Sequence, residues 1–288
     1  MTDPQAQATD ATDAMTPKIA IANLRQTEDL GSRYYAAWWL GRFRVQEPEV
    51  VEALIEALTD ESDRSPDGGF PLRRNAARAL GKLGDRQAVS PLIDSLQCDD
   101  YYVREAAAQA LEELGDPAAI SALLQLLRGG VDDTAMIPGK PHLKQPYDAV
   151  LEALGTLRAE SGVDQIQPFV EHPVAQIQFA AARAMYQITG HQTYGDRLTQ
   201  ALQNPDLQLR RSALMDLGAI GYGPAAEAIA KTLAENSLKL ISLKGLLEAE
   251  VTAHTEPDSP AASLSEVPEL SELSDSAIQI MDFMDQLL

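Results

Sequence analysis

The chain has little of what several classes of protein depend on. Its 288 residues include one cysteine, Cys98, and four histidines, so the sequence excludes an intramolecular disulfide and a cysteine-rich zinc site. Acidic residues outnumber basic ones by 43 to 23, a net charge of −20, which disfavours binding to nucleic acid or an anionic membrane over a broad surface. The sequence has no apolar run long enough for a membrane span and no N-terminal signal pattern. We therefore expect a cytoplasmic protein.

Internal repeats are the strongest structural signal in the chain. The segment LRRNAARAL at residues 72–80 recurs as VREAAAQAL at 103–111, and both copies are followed by a Leu-Gly-Asp triplet. The arginine position of this pattern recurs at residues 33, 73, 104, 144, 178 and 210, at intervals of 31 to 40 residues that are typical of a two-helix unit. The alanines allow close helix packing, and the glycine is a helix C-cap. The pattern predicts an all-α protein, an α-α superhelix of about six HEAT-like helical hairpins over residues 17–248.

The regions outside this solenoid are polar or acidic. Residues 1–16 are predicted to be disordered, and residues 249–288 to be an acidic, flexible tail that ends in a short amphipathic helix at 274–288. Two insertions, near 60–71 and 128–146, fall between the two helices of a pair. They are either tolerated surface loops or a cover for one end of a groove.

Helical spacing places two sets of side chains on one exposed face. If Leu72, Ala76 and Leu80 face the core, positions two residues further on point away from it. Rings can stack on a flat conjugated ligand and arginines can pair with its carboxylates, although surface arginines also commonly pair with nearby acids. The predicted face contains Tyr34, Trp38 and Arg42 from one repeat and Arg74, Arg78 and Lys82 from the next.

Five longer segments are more specific than the repeat pattern. They are RYYAAWWLG at 33–41, GGFPLRRNAARALG at 68–81, PGKPHL at 138–143, DLQLRR at 206–211 and NSLKLISLKGLL at 236–247. In these segments the chain resembles the E subunit of the E/F-type phycobilin lyases, and the resemblance runs from about residue 17 to residue 248.

This resemblance implies a function, a substrate and partners. The E subunit forms a heterodimer with an F subunit, and the pair attaches phycocyanobilin through a thioether to a cysteine of the apo-phycocyanin α subunit, in a reaction that can also run backwards. The implied bilin is a substrate, and no prosthetic group is expected. The catalytic residues are unknown, and an acid such as Glu105 or the ring of His142 is a candidate for adjusting bilin protonation. The predicted bilin-contacting residues are Tyr34, Trp38, Arg42, Arg73, Arg74, Arg78, Tyr101, Tyr102 and His142.

Alternatives remain at this stage. The chain could serve a related biliprotein such as the phycoerythrocyanin α subunit, or it could be a non-enzymatic HEAT-repeat scaffold that binds a peptide or helix in the same groove. Cys98 is either a small hydrophobic residue between two helices or a transient bilin carrier. The histidines lack metal-ligand spacing, so no metal site is predicted.

Overall fold

The computed structural model of the chain describes residues 15–133, 138–139, 141–254 and 274–288. These residues fold into α-helices joined by loops and short 3-10 turns, in two compact units that meet in sequence at Leu114 and Gly115. Within the described ranges, no helix combines the length and the apolar character that crossing a bilayer requires.

The first unit consists of three helix pairs. In each pair a shorter helix precedes a longer one whose alanines are buried. Proline occupies the first position of α1, α3 and α4, where its missing N–H costs no hydrogen bond. The pairs are α1 Pro17–Arg25 with α2 Leu30–Arg42, α3 Pro48–Ala57 with α4 Pro71–Leu83, and α5 Val89–Ser95 with α6 Tyr101–Leu114.

The second unit continues the same pairing and ends in an additional helix. Its helices are α7 Ile120–Leu126 with α8 Tyr147–Thr156, α9 Val163–Ile166 with α10 Ala175–Thr189, α11 Gln192–Ala201 with α12 Leu207–Ile220, α13 Ala226–Lys231 with α14 Asn236–His254, and finally α15 Asp275–Asp285. The described residues thus form seven pairs, where the sequence predicted about six. The additional pair is α13–α14, which lies beyond residue 210, the last recurrence of the arginine position.

The Leu-Gly-Asp triplet ends one helix and starts the next. Gly84 and Gly115 adopt positive φ angles of 75° and 66°, a conformation that residues with a Cβ adopt at a cost. The aspartates that follow accept hydrogen bonds at the start of the next turn, Asp85 from the Gln87 amide and Asp116 from the Ala118 amide. In each triplet, the leucine is the last helical residue, the glycine reverses the chain, and the aspartate caps the next turn.

Small residues let the longer helices approach closely. A Cβ atom on Gly41 of α2 would lie 2.8 Å from Cα of Ala79 in α4, and one on Gly81 would lie 2.8 Å from Cα of Ala110 in α6. Both distances are shorter than Cβ contacts allow, so glycine sets the spacing of α2, α4 and α6. These contacts also fix which residues of the three helices are neighbours.

The two ends of the chain differ in part from the prediction. The predicted disordered N-terminus lies outside the described residues except for Met15 and Thr16, and the Thr16 hydroxyl caps α1. Helix α14 continues to His254, past the predicted boundary at residue 248, and beyond that boundary Glu250 Oε1 accepts a hydrogen bond from the Ser276 hydroxyl of α15 at 2.9 Å. Residues 255–273 of the predicted tail lie outside the described residues, and α15 coincides with the predicted amphipathic helix.

Candidate functional site

Three rows of side chains lie across α2, α4 and α6 of the first unit. The repeat equivalence of residues 33, 73 and 104 defines the rows, and the contacts of Gly41 with Ala79 and of Gly81 with Ala110 hold the helices side by side. We call this surface the three-helix face. Its rows are Tyr34, Arg74 and Glu105; Trp38, Arg78 and Gln109; and Arg42, Lys82 and Glu113.

The α2 column of the three-helix face is aromatic and exposed. Tyr34 is 47% exposed and Trp38 is 44% exposed, and the ring of Tyr35 packs against Trp38 with the ring centroids 5.5 Å apart. The helix turn carries Arg42 into the same column, where it is exposed. Adjacent rings that stay in water leave apolar surface to be covered by a flat ligand or a partner.

The α4 column provides the cations. The guanidinium of Arg74 lies over the ring of Tyr102 at 4.4 Å from the centroid, and its buried Nε has no hydrogen-bond partner among the described residues. Arg78 is more open: its side chain is 45% exposed, and Nη2 lies 3.9 Å from Oε2 of Glu105. An exposed ion pair at this distance contributes little stability, so Arg78 can exchange Glu105 for a ligand carboxylate.

Arg73 lies outside this column and has structural contacts. Its Nε donates to the carbonyl of Asp60 at 2.6 Å and its Nη2 to the carbonyl of Thr59 at 3.2 Å. Its guanidinium covers the ring of Phe70 at 3.8 Å, and the side chain is only 14% exposed. These contacts hold the loop between α3 and α4 and leave little of Arg73 for a ligand.

The same role recurs along the chain at the equivalent arginines. Each reaches back to a backbone carbonyl near the end of an earlier helix or in the loop after it, which satisfies an acceptor that the helix leaves unpaired. The contacts are Arg33 Nε to Leu24 at 2.9 Å, Arg104 Nη1 to Cys98 at 2.6 Å and, in the second unit, Arg210 Nη1 to Asn204 at 2.6 Å.

The two predicted tyrosines at the start of α6 contact each other. Their rings meet edge to face with centroids 5.3 Å apart, and Asp100 accepts a hydrogen bond from the Tyr102 amide at 2.9 Å. Tyr102 joins the three-helix face through Arg74. Cys98, which precedes this turn, is a free, half-buried thiol with its Sγ 3.9 Å from Arg73 Nη1.

His142 belongs to the second unit. Its Nδ1 lies 2.7 Å from the carbonyl oxygen of Leu143, and the ring is half-buried. Its predicted contact with bilin stays a prediction. His172 is fully buried in the same unit, burial lowers its pKa, and its Nδ1 accepts a hydrogen bond from the Val174 amide.

Arg44, beside the three-helix face, and Glu113, in its third row, were not among the predicted site residues. Arg44 follows the end of α2, and its Nη1 donates to the carbonyl of Lys82 at 3.1 Å. Glu113 occupies the third row, where partial burial raises its pKa against the opposing effect of Lys82 and Arg44. The repeat spacing from Lys82 was sufficient to find Glu113, whereas Arg44 lies beyond the helix and no periodic signal marks it.

Comparisons with known proteins agree with this architecture. A model of HEAT repeats matches residues 64–136, and a model of the PBS lyase HEAT-like repeat matches residues 32–60. The all-α HEAT-repeat fold class predicted from the sequence is thereby confirmed. A solved structure described as the complex of CpcE and CpcF of phycocyanin lyase from Nostoc sp. contains a chain that is 55% identical, with a TM-score of 0.84 over 99% of this chain and 100% of that chain.

Curated relatives from cyanobacteria cover nearly the whole sequence. Phycocyanobilin lyase subunit alpha of Synechococcus elongatus is 59% identical over 96% of this chain and 97% of the relative, and that of Microchaete diplosiphon is 61% identical over 95% and 90%. The bilin biosynthesis protein PecE of Nostoc sp. is 43% identical over 87% and 93%. With this identity over nearly the full length of both proteins, the chain belongs to the family of phycocyanobilin lyase α subunits.

Proposed function

We propose that this chain is the α subunit of a heterodimeric lyase that attaches phycocyanobilin to a cysteine of the phycocyanin α subunit. The observation that carries the proposal is the 59% identity to a phycocyanobilin lyase α subunit over 96% of the chain. The 0.84 TM-score to a chain of the CpcE–CpcF complex supports an F-type partner. A cytoplasmic location is part of this proposal, because the lyase would act on a newly made apo-phycocyanin subunit.

The chemistry of attachment makes modest demands on the protein. The cysteine thiolate adds to the exocyclic carbon of the ring A ethylidene group, a C–S bond forms, and a proton adds to the adjacent ring carbon. Nothing is oxidised or reduced, and the reverse reaction releases thiol and bilin. Because free bilin and thiol combine without control of orientation, the protein contributes mainly by holding the bilin in one pose.

The three-helix face supplies the groups for such a pose. Tyr34 and Trp38 are exposed rings on one column, and we assign them to stack on the pyrrole rings. Arg78 has a weak partner that a carboxylate can replace. Arg74 rests on Tyr102 with an unpaired Nε. Arg73 acts indirectly in this proposal, by holding the loop before α4.

Co-expression tests the lyase function. Cells that make phycocyanobilin, the apo-phycocyanin α subunit and the F-type partner should produce red-fluorescent, covalently labelled phycocyanin α subunit only when this chain is also present. Labelling that does not depend on this chain would contradict the proposal. The control replaces Met215, an exposed residue of the second unit, with Ala, which should leave labelling unchanged.

The related biliprotein phycoerythrocyanin is the second candidate substrate. The PecE relative supports it at 43% identity, but the phycocyanobilin lyase α subunits compared above are 59% and 61% identical. A parallel co-expression with apo-phycoerythrocyanin α subunit separates the two. Faster labelling of phycocyanin supports the main proposal, and faster labelling of phycoerythrocyanin would replace it.

A further inference from the structure

A basic groove lies where the three-helix face ends. It has a volume of about 630 Å³ and is lined by residues at the carboxyl ends of α2 and α4 together with Glu113 of α6. Three of its lining residues, Arg42, Arg44 and Lys82, are cations, and Glu113 is its acid. A locally positive groove is unusual in a chain with a net charge of −20.

Within the described ranges no cation of this groove forms a salt bridge, and Glu113 attracts Lys82 and Arg44 only from a longer distance. Other arginines form salt bridges, such as Arg25 with Glu56 and Arg197 with Glu171. Among the residues that the structure describes, neither Arg42 nor Lys82 has a hydrogen-bonded or salt-bridged partner for its side chain. Arg42 and Lys82 lie in the last turns of α2 and α4, where a cation compensates the negative end of the helix dipole. Arg44 lies beyond the end of α2, so this effect alone does not explain a cation at position 44.

Arg44 occupies its place at a conformational cost. Its φ angle is 49°, in the left-handed region that favours glycine, whereas the reversals after α4 and α6 use Gly84 and Gly115. Arg158 after α8 is the other non-glycine residue with positive φ in the described ranges, at 53°. Each donates to a carbonyl near the end of the following long helix, Arg44 to Lys82 and Arg158 to Gln187. Only Arg44 of these two lines the groove, and strain that persists beside a cavity points to a function.

The groove continues the aromatic column. Tyr34, Trp38 and Arg42 are spaced one turn apart along α2, so a planar ligand stacked on the two rings extends toward Arg42. Arg44 and Lys82 line the surface beyond Arg42, where the inner rings of a bilin would lie if an outer ring were stacked on Trp38, and those inner rings carry the two propionates. Fixed cations at the end of an apolar track are suited to an aromatic ligand that carries carboxylates.

We infer that this groove binds the propionate carboxylates of the bilin, through Arg42, Arg44 and Lys82. This inference rests on the proposed lyase function and extends the carboxylate site from Arg78 to the cations at the carboxyl ends of α2 and α4. Glu113 opposes the ligand charge from within the groove and so limits the affinity.

The test compares phycocyanobilin with its dimethyl ester, which keeps the conjugated rings and removes both charges. Dissociation constants are measured by absorbance titration of the complex with the F-type partner. The wild-type complex should bind the free acid about tenfold more tightly than the ester, and Arg44→Gly should weaken binding of the free acid by about tenfold while leaving the ester unchanged. Glu113→Gln should strengthen binding of the free acid severalfold.

Matched variants separate this effect from folding. Arg158→Gly removes an arginine of the same backbone conformation outside the groove and should leave both dissociation constants unchanged. Arg44→Gly should unfold close to the wild-type temperature, since relief of the positive φ offsets the loss of the hydrogen bond to the Lys82 carbonyl. Lys82→Gln keeps the helix intact and provides a second loss variant.

The outcomes are distinct. Equal affinity of the wild type for acid and ester, or an Arg44→Gly complex that discriminates like the wild type, would overturn the groove assignment and leave the lyase function standing. If the Arg44→Gly variant no longer forms a complex with the F-type partner, the groove assignment is also overturned. Arg44 would then pair with a carboxylate of the partner protein and not with a propionate of the bilin. If the wild-type complex binds neither form and labels no phycocyanin, the proposed function itself fails.

Discussion

At Asp60, a single carboxylate joins helix α2 to the loop between α3 and α4. It accepts hydrogen bonds from Nη1 and Nη2 of Arg33 at 3.1 and 2.6 Å, and from the amides of Ser62 and Asp63. Burial of Asp60 opposes its ionisation, but the hydrogen bonds from Arg33, Asp63 and Ser62 outweigh burial and lower its pKa to about 2. The ionised form is therefore the stable form in the folded protein.

A pH dependence of stability follows from this lowered pKa. The stabilisation by Asp60 is fully present above its unfolded pKa of about 4 and is lost as the pH falls toward 2, by about 2 kcal/mol in total. Denaturant unfolding measured between pH 5 and pH 2 should show this loss in the wild type. Asp60→Asn should be less stable at pH 5 and should lose about 2 kcal/mol less over the same range; an identical pH slope in both proteins would contradict the assignment.

Arg73 and Arg78 differ in how much they contribute to the stability of the first unit. Arg73 donates to two carbonyls and is mostly buried, whereas Arg78 is half-exposed. Arg73→Met should lower the free energy of unfolding by about 1–3 kcal/mol, because it leaves the carbonyls of Thr59 and Asp60 unpaired. Arg78→Met should change it by less than about 0.5 kcal/mol. Denaturant titrations of both variants check this contrast, and a large loss for Arg78→Met would place that residue in the core.

Among the elements, α2 contains two glycines with opposite roles. A Cβ on Gly41 meets the backbone of Ala79, while one on Gly31 meets only a side-chain oxygen of Asp29, at 3.3 Å. Gly41→Ala should destabilise the first unit by about 1–3 kcal/mol through overpacking. Gly31→Ala should be neutral or stabilising by about 0.5 kcal/mol, because alanine favours the helix. Thermal unfolding distinguishes them, and equal effects would mean that α2 and α4 are less closely packed.

Helix α15 covers apolar surface of the second unit. Its Ile280 is 1% exposed and belongs to the same core as Leu243 and Leu246 of α14. The Nδ2 of Asn236 donates to the carbonyl of Leu287 at 2.8 Å. A repeat array needs such a cap because its last pair otherwise leaves an apolar face in water.

Releasing α15 should therefore expose that core. Ile280→Asp should make α15 accessible to proteases, increase binding of a hydrophobic dye and lower the stability of the second unit by at least about 2 kcal/mol. Ile278→Asp, two residues away on the exposed side, should do none of these. Limited proteolysis with mass spectrometry provides the measurement. Resistance of the Ile280→Asp variant would show that α15 adds nothing to the core.

At the scale of the molecule, the repeat pattern predicted most of the fold. The alanine-rich segments became α4 and α6, the Leu-Gly-Asp triplets became reversals, and both insertions lie between the helices of a pair. These features are local, so periodicity and turn chemistry suffice to find them. The extension of α14 and the docking of α15 depend on tertiary packing. The prediction of a tail after residue 248 used only the acidic composition of that segment, which contains no information on packing.

The candidate site was predictable in its columns but not in its contacts. A helical wheel correctly predicts that Tyr34 and Trp38 are exposed, since the angular position of a residue around the helix axis decides whether its side chain faces the core or the solvent. It does not show that Arg73 reaches back to loop carbonyls, because a long side chain is not confined to the direction of its Cβ. Nor does it find Arg44, whose position is set by an unusual backbone angle after the helix.

In the proposed function, the aromatic column of the three-helix face holds the bilin. The most direct measurement is the dissociation constant for phycocyanobilin of the complex with the F-type partner when this chain carries Trp38→Ala, with Met215→Ala as the control. We predict that Trp38→Ala weakens binding by about tenfold, with unchanged helical circular dichroism, and that the control binds like the wild type. A Trp38→Ala complex that folds and binds phycocyanobilin with wild-type affinity would show that the aromatic column does not hold the bilin.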